Sequence, residues 1–176
     1  MRIDEIENKE DILKYMNSNI EYGWIDKYGE KHIKTMKEFR RIYLTLSIED
    51  TIKIGIGTCI EQVRLMKYLC DKIGLKSKMY CTRIYEDNNF NDLDAEEHMH
   101  WFLLVFENDK VYHKENPNFE RIGIYTYENE NQAINTINEY YINLSGGIAR
   151  PVTEFFEVEP GLTFKEFNNY INNNKL

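Results

Sequence analysis

Cys59 stands in G-I-G-T-C-I-E-Q-V (55–63), where two glycines and a threonine lead into a helical pattern. A thiol in a first helical turn feels the positive end of the helix dipole and several free N–H groups, which favour the thiolate. The same N–H groups can hold an oxyanion on an attacked carbonyl. A cysteine nucleophile also needs a base and a group to orient it. Against this stands the ordinary fate of cysteine, which is among the most buried residue types.

The histidines are His32, His98, His100 and His113. His100 opens the apolar run H-W-F-L-L-V-F, which reads as a strand, and E-N-D-K (107–110) reads as the turn of a hairpin returning through Val111–Asn116. Counting outward from that turn puts Phe102 opposite Glu115 and His100 opposite Pro117. Cross-strand partners share a face, as do residues two apart on one strand. His100 and Glu115 therefore share a face, where the carboxylate can accept a ring N–H and leave the other nitrogen free. Asn116 has the opposite parity and points away, unless a one-residue bulge reverses the choice.

His98 and His113 fall on that same face. A strand H-x-H with His113 and a cysteine is a rival zinc arrangement, but no C-x-x-C accompanies it. The preferred reading makes His98 a solvated loop residue and His113 a satisfied strand residue, with no metal and no cofactor. The acidic stretch 86–97 lacks the spacing and glycine of a calcium loop and reads as a solvated flap.

The elements that must carry these residues follow from periodicity. Helices are expected over 5–18 (Ile12, Leu13 and Met16 on one face), 34–45, a short segment capped by Ser47 and ending near Gly55, and 59–73, where Ile60, Val63, Met66, Leu69, Cys70 and Ile73 recur. Residues 21–30 read as a turn-rich aromatic loop. After Gly74 the period changes to two, giving strands at 78–85, 100–106, 111–116 and 122–127. A helix at 129–144 stops at Ser145-Gly146-Gly147. A strand at 152–158 and a final helix opened by Thr163 and Glu166 close the chain. Helices, then antiparallel strands with a helix behind them, define an α+β fold.

Composition narrows the partners. The 176 residues are most simply one domain with a real core, 42% hydrophobic and 14% aromatic. A formal charge of -8 and a pI near 5.1 argue against a protein that neutralises nucleic-acid phosphates. The N-terminal residues lack the apolar run of a signal peptide, and no later run is long enough to span a membrane. Three cysteines fit a reducing compartment, and the expected location is cytoplasmic. On one helix Cys59 and Cys70 stand roughly 16 Å apart, too far to bridge.

Three stretches in order resemble the core of the transglutaminase-like superfamily: G-T-C-I-E-Q-V-R-L-M-K-Y-L-C-D-K-I-G-L, then H-W-F-L-L-V-F-E-N-D-K-V-Y-H-K-E-N, then G-I-Y-T-Y. They cover about 55–127 and are similar to small bacterial domains of that superfamily. The resemblance implies a papain-like fold in which Cys59 attacks a peptide-like amide or ester and forms a thioester. His100 moves the proton, and Glu115 stands where the family usually has Asp or Asn. Tyr112 and Phe119 are candidates for the aromatic neighbours of that acid. The backbone N–H of Cys59 is one expected oxyanion donor, with Tyr22 and Trp24 as candidates for a second or as cover for the core. The expected activity is that of a cysteine amidase or acyl transferase on a peptide or protein substrate. The alternative is a non-catalytic binding module that keeps the fold. Donor, acceptor and oligomeric state are left open.

Overall fold

The computed structural model describes residues 2–85 and 97–173. The fold is mixed α+β. Its centre is an antiparallel six-stranded sheet of β4 (Lys76–Tyr85), β5 (Glu97–Glu107), β6 (Lys110–Glu115), β7 (Gly123–Tyr127), β8 (Ile148–Ala149) and β9 (Thr153–Phe155). The order is β7-β6-β5-β4-β8, and β9 also pairs with β4.

Strict alternation along β5 gives the sheet two apolar faces. Trp101, Leu103 and Val105 face α4 (Cys59–Lys72), whose Val63, Met66, Leu69 and Cys70 are fully buried at helical spacing. Phe102 and Leu104 face α5 (Glu130–Ser145) through Ala133, Ile137 and Tyr141. Burying each large apolar side chain stabilises the fold by about 1.5–3 kcal/mol, so a two-faced β5 anchors both layers. α1 (Lys9–Asn19) packs on α4 and contributes Ile12, Tyr15 and Met16 to the same core. The terminal helix α6 (Phe164–Asn173) seals it with Phe164, Phe167 and Ile171, opened by the reciprocal Thr163–Glu166 cap.

The hairpin follows the expected register. Asn108 and Asp109 both take left-handed φ values, 51° and 58°, which Asn and Asp tolerate and a two-residue turn of this hand requires. Glu107 pairs with Lys110 and Leu103 with Lys114, with no bulge in the paired segment.

Several expected elements differ, the first helix by starting at Lys9 rather than residue 5. Residues 21–30 include β1 (Glu21–Ile25), which pairs antiparallel with β2 (Lys31–Ile33) and parallel with β3 (Ile56–Gly57). Gly23 permits this, since a Cβ there would stand 2.6 Å from the His32 carbonyl oxygen and from Ile56 Cδ1. The helix expected over 34–45 shrinks to α2 (Phe39–Ile42), because Lys34 and Glu38 take left-handed φ and end any continuous helix. The short helix capped by Ser47 is α3 (Ile48–Ile54), closed by Gly55 at φ 72°. The last strand is β9 alone rather than 152–158. The acidic flap, apart from Glu97 in β5, lies outside the described residues, as does the side chain of His98. Among the described residues no helix is long and apolar enough to cross a membrane.

Candidate functional site

Thr58, immediately before Cys59, is the N-cap of α4. Its hydroxyl and backbone N–H both donate to Glu61 Oε2, at 2.6 and 2.9 Å, while its oxygen accepts from Ile60 N–H. Glu61 is almost fully buried and also accepts from the Tyr43 hydroxyl. Gly57 is required here because a Cβ would come within 2.7 Å of Glu61 Cβ. The buried carboxylate thus ties the loop before Cys59 to the helix, and the thiol is presented from a fixed N-terminus.

Cys59 is half-buried, whereas Cys70 and Cys81 are buried. Pairing of β5 with β6 begins at Leu103, and short of it the backbone N–H of Trp101 lies near enough to Cys59 Sγ to favour its thiolate, as does that of Ile60. The sulfur therefore meets β5 at the residue following His100.

His100 and Glu115 meet as their shared face requires. His100 Nε2 lies 2.9 Å from Glu115 Oε2, with both groups buried. A carboxylate only accepts, so Nε2 carries the proton and Nδ1 keeps the lone pair in the neutral ring. Glu115 is held from three further sides. Asn118 N–H donates to Oε1 at 3.0 Å, the Tyr141 hydroxyl donates to Oε2 at 3.2 Å, and His113 Nε2 stands 3.3 Å from Oε2. Tyr141 also stacks on the His100 ring, with centroids 4.0 Å apart and planes at 23°, and its oxygen accepts from Asn118 Nδ2. Asn116, of opposite parity, turns to α4 and donates to Gln62 Oε1.

Electrostatics divides these groups. Burial would raise the Glu115 carboxyl, but the charge and hydrogen bond of His100, with His113, overcome it and hold the acid well below the ordinary carboxylate range. Burial lowers His113 against the opposing pull of the Glu115 carboxylate. The helix-start argument calls for a lowered thiol pKa at Cys59, and the structure reverses it. Burial pushes the thiol up to about 12, helped by the charges of Glu61 and Glu115, and the N–H groups of Trp101 and Ile60 offset only part. Desolvating a thiolate outweighs two neutral donors when two carboxylates lie nearby.

The remaining candidates divide. Tyr22 belongs to this corner: burial first, then the charges of Cys59 and Glu61, raise its hydroxyl well above the usual value, so it stays a donor. Trp24 is core. Its Nε1–H donates to the Thr35 carbonyl at 2.7 Å and its ring stacks on His32, which leaves no donor for a cleft. Tyr112 lies under the Lys9 ammonium, with the α1 and α4 core rather than beside Glu115, and the Phe119 side chain is outside the described set. Among the described residues the aromatic ring nearest to His100 is Tyr141, with Phe102 stacked farther off at 6.2 Å. No residue spacing pointed to Tyr141, because it reaches the site from a helix distant in sequence; T-C-I-E, by contrast, carries the threonine-to-glutamate spacing of a capping box and marks Glu61.

No known family model matches the chain, and no curated protein matches it.

Proposed function

We propose that this protein is a cysteine-dependent amidase or acyl transferase with a papain-like, transglutaminase-like core, acting on a peptide-like amide through a thioester. The observation that carries the reading is the buried His100–Glu115 pair at 2.9 Å, beside a helix-start cysteine whose sulfur lies near the backbone N–H of Trp101, the residue next to His100. Because Cys59 rests as a neutral thiol, its deprotonation accompanies attack instead of preceding it. Sγ bonds to the carbonyl carbon as His100 Nδ1 takes the thiol proton. The tetrahedral intermediate collapses to a thioester as that proton passes to the leaving amine. Water or a second amine then releases the acyl group. Glu115 orients the ring and stabilises the transient imidazolium. The N–H of Cys59 and the Tyr22 hydroxyl serve as oxyanion donors. Cytoplasmic action on a peptide or protein substrate fits the composition.

A second reading, a binding module that keeps the fold without catalysis, is favoured by one observation, the thiol pushed up to about 12. Site-resolved alkylation with iodoacetamide separates the two. Catalytic competence makes Cys59 react faster than Cys70 and Cys81 and lose most of that advantage in His100→Ala. Accessibility alone would leave the Cys59 rate unchanged in His100→Ala, and that result would sink the triad.

A further inference from the structure

The acyl-transfer reading uses only one of the two histidines that surround Glu115. His113 is completely buried, and among the described residues its Nδ1 has no hydrogen-bond partner while its Nε2 has only the Glu115 carboxylate beside it, at 3.3 Å and without hydrogen-bond alignment. Buried polar atoms are nearly always well paired, so a buried Nε2 that faces a carboxylate without a well-aligned hydrogen bond needs a reason. The ligand atoms of His100, His113 and Glu115 all lie within 4.8 Å of one another.

We propose that His100 Nε2, His113 Nε2 and Glu115 Oε2 form a three-ligand site for a zinc-class divalent ion. Ligands about 2.0–2.2 Å from a tetrahedral ion stand roughly 3.3 Å apart. The two nitrogens already lie 2.9 and 3.3 Å from the shared oxygen, so two edges of that tetrahedron are nearly formed. Two imidazoles and a carboxylate are a donor set that zinc accepts, with a fourth position left for an exchangeable ligand. Asn118 N–H on the other carboxylate oxygen fixes its orientation from outside, as metal-binding carboxylates require.

The site is built from the same pair as the acyl-transfer reading, and one consequence rests on that reading. An ion on Nε2 occupies that lone pair and moves the ring proton to Nδ1. Nδ1 then cannot accept the Cys59 proton. The ion is therefore a reversible inhibitor of attack by Cys59, and the amidase works metal-free.

Metal-stripped full-length protein is titrated with Zn²⁺ alone by calorimetry and with Co²⁺ by visible absorption, which reports a four-coordinate nitrogen and oxygen environment. One ion per chain is expected. Affinity should fall more than about a hundredfold in His113→Phe and in Glu115→Gln, and persist in Cys59→Ser. No stoichiometric ion, or an ion lost only in Cys59→Ser, overturns the site. If a variant loses its circular dichroism spectrum, the wild-type ring resonances decide. Those of His100 and His113 must move with Zn²⁺ while His32 stays, and unmoved signals overturn the site. Zn²⁺ should also slow Cys59 alkylation in step with occupancy. Binding without slowing upholds the metal site and overturns the acyl-transfer reading instead.

Discussion

Replacing Glu115 by Gln changes the reactivity of Cys59 in opposite directions under the two readings. Gln keeps the size and one acceptor while removing the negative charge. If His100 is the base, attack leaves an imidazolium whose Nε2 stands 2.9 Å from Glu115 Oε2. Two unit charges about 4 Å apart at an effective dielectric near 20 attract by about 4 kcal/mol. A transition state carrying half of that charge loses about 2 kcal/mol, so alkylation should slow by roughly 30-fold. If Cys59 ionises on its own, Glu115 only raises the thiol through space. Removing its charge then frees thiolate and speeds alkylation. The assay is the site-resolved iodoacetamide rate of Cys59 in wild type and Glu115→Gln across neutral to alkaline pH, with Cys70 and Cys81 as internal references. Faster labelling in the variant refutes the general-base argument, whatever the absolute rates.

Two further changes test the scaffold. Burial pushes the Lys114 ammonium down from 10.5 to about 8. A lysine whose folded value is lowered destabilises the fold fully below that value, and the penalty fades as pH rises toward 10.5. The gap corresponds to about 3 kcal/mol at pH 7, from which losing the hydrogen bond to the Lys9 carbonyl subtracts about 1. Lys114→Met should therefore raise urea-unfolding stability by about 2 kcal/mol at pH 7 and by less at pH 10; a loss at pH 7 contradicts the reasoning. Glu61→Ala leaves the Tyr43 hydroxyl and both Thr58 donors without their acceptor. At about 1–3 kcal/mol for each orphan it should cost more than about 3 kcal/mol, visible as a clear fall in Tm.

Much of the local structure was legible because it depends on neighbours in sequence. The α4 boundaries follow from Thr58, the apolar spacing and Gly74, and the hairpin register follows from a turn whose Asn108 and Asp109 accept left-handed backbone. Counting from that turn brought His100 and Glu115 onto one face, and no bulge upset the count. The 34–45 segment failed for a nonlocal reason. Its apolar residues suit a helix, but only Phe39–Ile42 is helical, and Phe39 and Tyr43 are drawn instead into a cluster with Phe164 and Trp24. The aromatic loop at 21–30 became a strand because Ile56 and His32 supply partners for its backbone.

By itself, then, the sequence determined which residues could share a face and where the thiol enters its helix. Turn chemistry, period and caps act over a few residues and need no partner. The environment of each group was decided only by the tertiary structure. Tyr141 reaches His100 and Glu115 from α5, and Glu61 is buried against Tyr43. His113 is sealed beside a carboxylate it shares with His100. Burial and nearby carboxylates reverse the thiol shift that the helix start alone predicts. Desolvation and charge depend on what packs against a side chain from every direction, and spacing along one chain does not contain that.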